Sequence, residues 1–162
     1  MFTEYLAMVL AALLAVLLVA AAISDLKWRI IDNDLNFAIA ALAVAYWAAT
    51  GLSPWPDLVW QVGIALIVFM FFAGLNFVGG MGGGDVKMAG AMALWIPVSL
   101  IMPTLTVMAL AGGVISAAMV VHKYIGKKTA QPEVPYGVAI AIGGLWALHQ
   151  QYLNQFSVIG HV

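Results

Sequence analysis

Polar residues interrupt this chain only at long intervals. Leu6–Ile23 holds no polar residue at all, and a run of about 18 apolar residues predicts a transmembrane helix. Six such segments can be drawn: Tyr5–Ser24, Leu35–Thr50, Leu58–Val78, Val86–Met102, Thr104–Val121 and Tyr136–Leu153. The pattern predicts an all-α, polytopic membrane helix bundle of about six transmembrane helices. The second and fourth segments are short for a span, which local thinning or burial within the bundle accommodates. The fourth carries Pro97, and a turn over Pro97–Pro103 is expected to separate it from the fifth.

Composition agrees: 65% of the 162 residues are hydrophobic and 8% charged, with a mean hydropathy of +1.05. A soluble domain needs far more charged surface, so a water-soluble enzyme is excluded. The N-terminus, "MFTEY", has no Lys or Arg, whereas a cleaved signal has a basic start; the first segment reads as a retained helix. Lys27 and Arg29 fall in the first connection, Lys87 near the third, and Lys123, Lys127 and Lys128 in the fifth. Under the positive-inside rule these connections are cytoplasmic and both termini lie on the outer, periplasmic side. Trp55, Trp60, Trp95 and Tyr152 then fit an outer interfacial belt. No linker divides the chain, so residues 1–162 form a single transmembrane domain. Gly112-Gly113 and Gly143-Gly144 are expected to allow close helix packing. The formal net charge of −1 identifies no partner; the lipid bilayer is expected, and nucleic acid is not.

The acidic residues are Glu4, Asp25, Asp32, Asp34, Asp57, Asp85 and Glu133. An ionisable group within a span costs about 2.5–3.5 kcal/mol on insertion scales, so one retained there suggests function. Asp25 ends the first segment and Asp85 precedes the fourth, both at the cytoplasmic edge, so the fold can bring them together. For either alone, capping or solvation is the simpler reading; Asp34 also fits an N-cap of the second helix, and Asp57 of the third. Two facing carboxylates share one proton. The ionised one takes a proton from water and the protonated one donates to a substrate carbonyl, which hydrolyses a peptide without metal or covalent intermediate. The run "GGMGGGDVKM" (Gly79–Met88) is a loose turn on one reading. On the other, Gly82, Gly83 and Gly84 let an extended peptide approach the carboxylates. Lys87 is a topology anchor, a cation beside Asp85, or both. There is no cysteine, and the histidines His122, His149 and His161 are scattered, so no metal or cofactor is expected. Phosphate-loop, H-E-x-x-H and G-x-S-x-G patterns are absent. A small ion- or proton-coupled transporter using Asp25 and Asp85 is the alternative from another class, although no inverted repeat is seen. A non-catalytic assembly subunit would need no paired carboxylates.

"GGGDVK" (Gly82–Lys87) resembles the G-x-G-D-x-K signature of the type IV prepilin peptidases, a family of GxGD membrane aspartyl proteases. "SDLKWRIIDN" (Ser24–Asn33) resembles the family's other signature: an Asp, basic residues, then Ile-Pro-Asn. "PYGVA" (Pro135–Ala139) is similar to its Pro-aromatic-Gly element. The resemblance implies that Asp25 and Asp85 are the catalytic pair, with Lys27, Arg29, Asn33, Pro135, Tyr136 and Gly137 in supporting places. Asp32 stands where the family has proline, which adds a third carboxylate near the site. The chain lacks the cysteine-based zinc segment of the larger bifunctional members and resembles the short, peptidase-only TadV/CpaA kind that serves Flp (tight-adherence) pili. The resemblance therefore implies a prepilin substrate with a basic leader and a hydrophobic helix, cleaved after a glycine. It also implies residence in the bacterial inner membrane, with the active site facing the cytoplasm.

Overall fold

The computed structural model describes residues 2–125 and 134–159, less the side chains of Lys123 and residues 153–159. Lys127, Lys128 and Glu133 lie outside the described residues. Six α-helices follow in order: α1 (Phe2–Trp28), α2 (Asn33–Thr50), α3 (Val59–Phe77), α4 (Gly83–Ala93), α5 (Val98–Ile125) and α6 (Tyr136–Ile159). A short π-helical turn, Pro54–Leu58, leads into α3. No strand occurs among the described residues. Among the described residues three helical stretches are long and apolar enough to cross a membrane: Phe2–Trp28, Pro54–Phe77 and Val98–His122. Their outward faces carry large apolar side chains such as Val16, Ile67, Phe71 and Leu110, which suits contact with lipid.

α4 lies at the centre, packed against α2, α3 and α6, while α1 sits between α2 and α6 and α5 lies along α6. Eight residues of α4, Asp85, Val86 and Met88 to Ala93, are buried, as expected of a helix enclosed on all sides. Its small residues permit the neighbours' approach: a Cβ on Gly90 would stand 2.9 Å from the Phe69 ring. At 11 residues α4 is about 16 Å long, roughly half the hydrocarbon thickness.

The polar groups of its far end are therefore buried and must be satisfied within the protein. The Gln61 amide donates to the carbonyls of Ala93 and Ile96, both at 2.8 Å. The Trp47 indole donates to Leu94 O at 3.1 Å, and the Gln151 amide to Trp95 O at 2.9 Å. This corrects the expected fourth and fifth segments. The chain turns over Leu94–Pro97, and α5 begins at Val98 and runs through Pro103. Side-chain donors from three helices fix a turn that hydropathy does not mark. Trp95 is also corrected: it is 2% exposed, its indole donates to Ile39 O at 2.9 Å, and it forms no part of a lipid-facing belt. Trp55 and Trp60 are exposed.

Gly143 and Gly144 pack closely as expected. A Cβ on Gly144 would meet Leu18 and Met92 at 2.9 Å, and one on Gly143 would collide with Met108. Gly113 differs: a Cβ there would meet nothing within 4 Å. The N-cap of α2 is Asp32, without a side-chain capping bond; Asp34 lies within the first turn. α3 likewise lacks a side-chain cap.

Candidate active site

Asp25 lies in the last turn of α1, and the Arg29 N–H closes that turn on Asp25 O at 3.0 Å. Arg29 then takes a left-handed φ of 56°, which swings the chain into the short connection to α2. Asp85 lies in the first turn of α4. The glycine run divides its work between two helix ends. Gly79, at φ 79°, ends α3, with N–H bonds from Gly79 and Gly80 back to Asn76 O and Leu75 O. Gly82 is the N-cap of α4, and the Asp85 carboxyl reaches back to its N–H. This is the reciprocal half of a capping box. A Cβ on Gly82 would lie 3.0 Å from Asp85 Oδ2, and one on Gly84 would lie 3.1 Å from Ile31 O. Both glycines make room for groups of this chain, whereas Gly83 has nothing within 4 Å.

The third component is the start of α6. The Gly137 N–H faces both carboxyls, while the Val138 N–H, near enough to act on Asp25, is given to Pro135 O at 3.3 Å. A helix N-terminus offers N–H donors and a positive potential to a carboxylate. Gly137 is required for the fit, since a Cβ there would stand 2.8 Å from Asp25 Oδ2 and 2.6 Å from Ile31 Cδ1. Asp25 and Asp85 are 4% and 8% exposed, so two carboxyls are held in a nearly dry pocket. Asp25 Oδ2 is fully buried and lacks a well-formed hydrogen bond, although the Gly137 N–H faces that carboxyl. Burial pushes the Asp85 carboxyl up to about 6, and the Asp25 charge adds to the rise; the Gly82 and Gly137 N–H groups oppose it. Asp85 precedes the fourth apolar segment and belongs to none of the three long spans.

The other residues singled out in the sequence fall around this centre. The Lys87 ammonium donates to Asn33 Oδ1 at 2.7 Å, tying the start of α2 to α4. Lys27 lies over the Trp28 ring at 5.6 Å. Arg29 is exposed, and its charge acts on Asp25. Pro135 is buried immediately before α6, and Tyr136 is the first residue of that helix. Asp32 and Asp34 are exposed. Among the described residues no three His, Cys, Asp or Glu side chains cluster as a metal site would require.

Two contributors escaped the sequence analysis. Asn36, 5% exposed, donates to Gly84 O at 3.1 Å and so holds the glycine turn against α2. Ile31 wedges between Gly84 and Gly137. A lone amide three residues past Asn33 on an otherwise apolar helix was the only signal for Asn36; Ile31 stood out only as the isoleucine of the Ile-Pro-Asn pattern. A family model described as the type IV leader peptidase family matches residues 12–117, a stretch that includes both aspartates. No curated protein and no solved structure matches the chain.

Proposed function

The chain belongs to the type IV leader peptidase family; it is thus a peptidase, and we propose that it is a membrane-embedded aspartyl endopeptidase that removes the leader from prepilins of the Flp type. The observation that carries the proposal is the convergence of two buried carboxyls, Asp25 and Asp85, on the Gly137 N–H. Asp85, raised by burial and by its neighbour, holds the shared proton. Asp25, beside Arg29 at the end of α1, serves as the base. A water between them loses a proton to Asp25 as its oxygen bonds to the scissile carbonyl carbon. Asp85 gives its proton to the carbonyl oxygen, and a tetrahedral diol forms. Collapse of the diol breaks the C–N bond, the proton on Asp25 passes to the leaving amine, and Asp85 is reprotonated from the diol. No metal or cofactor enters. Gly82, Gly83, Gly84 and Lys87 line the approach, with Asn33, Pro135 and Tyr136 supporting it. Membership in a peptidase family weighs against the transporter reading.

We place all six helical segments across or within the inner membrane as one domain over residues 1–162, both termini outside. Asp25, Asp85 and Gly137 share the end of the bundle that carries Lys27, Arg29 and Lys87, which supports a cytoplasmic active site. The test is incubation of the purified protein with candidate prepilins, scored by size shift. Asp25→Asn and Asp85→Asn are expected to abolish cleavage while remaining folded in detergent, with a cooperative melt no lower than that of wild type. Asp32→Asn and Asp34→Asn are expected to remain active. Undiminished cleavage by either of the first two variants overturns the assignment.

A further inference from the structure

A cleft of about 800 Å³ opens between α3, α5 and α6. One wall is Phe72 and Leu75 of α3; the opposite wall is α5, with Thr106, Ala109, Gly113 and Ser116. The lining runs along α5 from Met102 to Ser116, about 21 Å at 1.5 Å per residue. A groove of that length parallel to the spans suits a helix. Its α5 wall mixes Met102, Leu105 and Met108 with the small residues Ala109, Gly112, Gly113 and Ser116, and the small positions let another helix's backbone approach closely. Among the described residues none occupies that surface at Gly113, where a Cβ would meet nothing within 4 Å.

The cleft also reaches residues that adjoin the candidate active site. Met81 and Tyr136 are among its lining residues. Met81 precedes the N-cap of α4, and its carbonyl is fixed by Asn76 Nδ2 at 2.6 Å. Tyr136 precedes Gly137, whose N–H faces both carboxyls. A polypeptide leaving the dyad toward the membrane therefore enters this cleft directly. We propose that the groove between α3, α5 and α6 is the docking site for the apolar, membrane-spanning helix of the substrate, starting just beyond the cleaved bond. The inference rests on the peptidase reading above and adds the surface that positions the substrate.

The absence of cysteine from the chain permits a clean test. The probe is a synthetic polypeptide with a basic leader, a glycine before the cleavage point, and an apolar helix of about 20 residues carrying one cysteine. In the Asp85→Asn background, Gly113→Cys is expected to form a disulfide when the probe's cysteine lies in the first two turns of the apolar helix. Thr106→Cys is expected to pair about seven residues, or roughly 10 Å, further along. No cross-link, or cross-linking only between copies of the enzyme, overturns the proposal; the first outcome leaves the groove to lipid and the second to a second copy.

With the dyad intact, Gly113→Leu is expected to lower kcat/KM at least about tenfold, mostly through KM. Gly63→Leu, equally open but away from the cleft, is expected to cleave like wild type. Wild-type kinetics in Gly113→Leu sink the docking site even if the probe is cleaved normally. Cross-linking of a probe that wild type never cleaves preserves the docking site and removes the proposed activity.

Discussion

Gly137 sets the closest tolerance in the candidate site. The Cβ of alanine there would press on Asp25 Oδ2 and Ile31 Cδ1 at 2.8 and 2.6 Å. Either α6 withdraws its N–H from the dyad or Asp25 turns away. A displacement near 1 Å in a catalytic group costs about a hundredfold in rate, so Gly137→Ala is expected to lose about that much activity and keep most of its thermal midpoint. Wild-type rates in this variant would separate α6 from catalysis. Asp85 carries the pH dependence. Its carboxyl rises from 3.8 in the unfolded chain to about 6 when folded, so the folded state binds the proton more tightly. The associated stability is full below 3.8 and is lost as pH rises through about 6. Asp85→Asn removes a charge that is unfavourable above that range and is expected to melt higher than wild type at pH 8, by at most about 3 kcal/mol. It is expected to show no such gain at pH 4. Cleavage by wild type is expected to fall about tenfold per pH unit above the Asp85 pKa as the shared proton leaves. A flat pH–rate profile from pH 6 to 8 would remove Asp85 as the proton donor.

At the level of elements, everything depends on where α4 ends. The helix brings Asp85 to the dyad at its start and finishes inside the bundle, where no water satisfies its last carbonyls. Gln61 is the main substitute, with bonds of 2.8 Å to Ala93 O and Ile96 O. Gln61→Leu keeps the volume and removes both donors. A buried acceptor left without a partner costs about 1–3 kcal/mol, so this variant is expected to melt clearly below wild type in detergent. An unchanged midpoint would show that the turn holds without its side-chain cap. Hydropathy marked an apolar stretch over Val86–Met102 and reported nothing of this turn, because Leu94, Trp95 and Ile96 are themselves apolar. The polar partners of the turn come from α2, α3 and α6, up to 56 residues away in sequence.

Across the whole molecule, the proposal places the dyad end of the bundle in the cytoplasm. Gly83 is exposed at that end with nothing within 4 Å, and Ser53 lies in the opposite connection. In spheroplasts, a membrane-impermeant maleimide is expected to label Ser53→Cys and spare Gly83→Cys. The reverse pattern would invert the topology. The sequence by itself determined the helical class, since runs as apolar as Leu6–Ile23 admit no other economical structure in lipid. It also singled out Asp25 and Asp85, because carboxylates at the ends of apolar segments are costly and stand out against them. Tertiary structure alone decided that both carboxyls face the Gly137 N–H, that Asn36 and Ile31 brace the glycine turn, and that Gly113 fronts an open cleft. Those facts depend on distances between helices. A one-dimensional pattern of polar and apolar residues records which residues are costly to bury, while the partners that offset the cost are set by packing among helices distant in sequence.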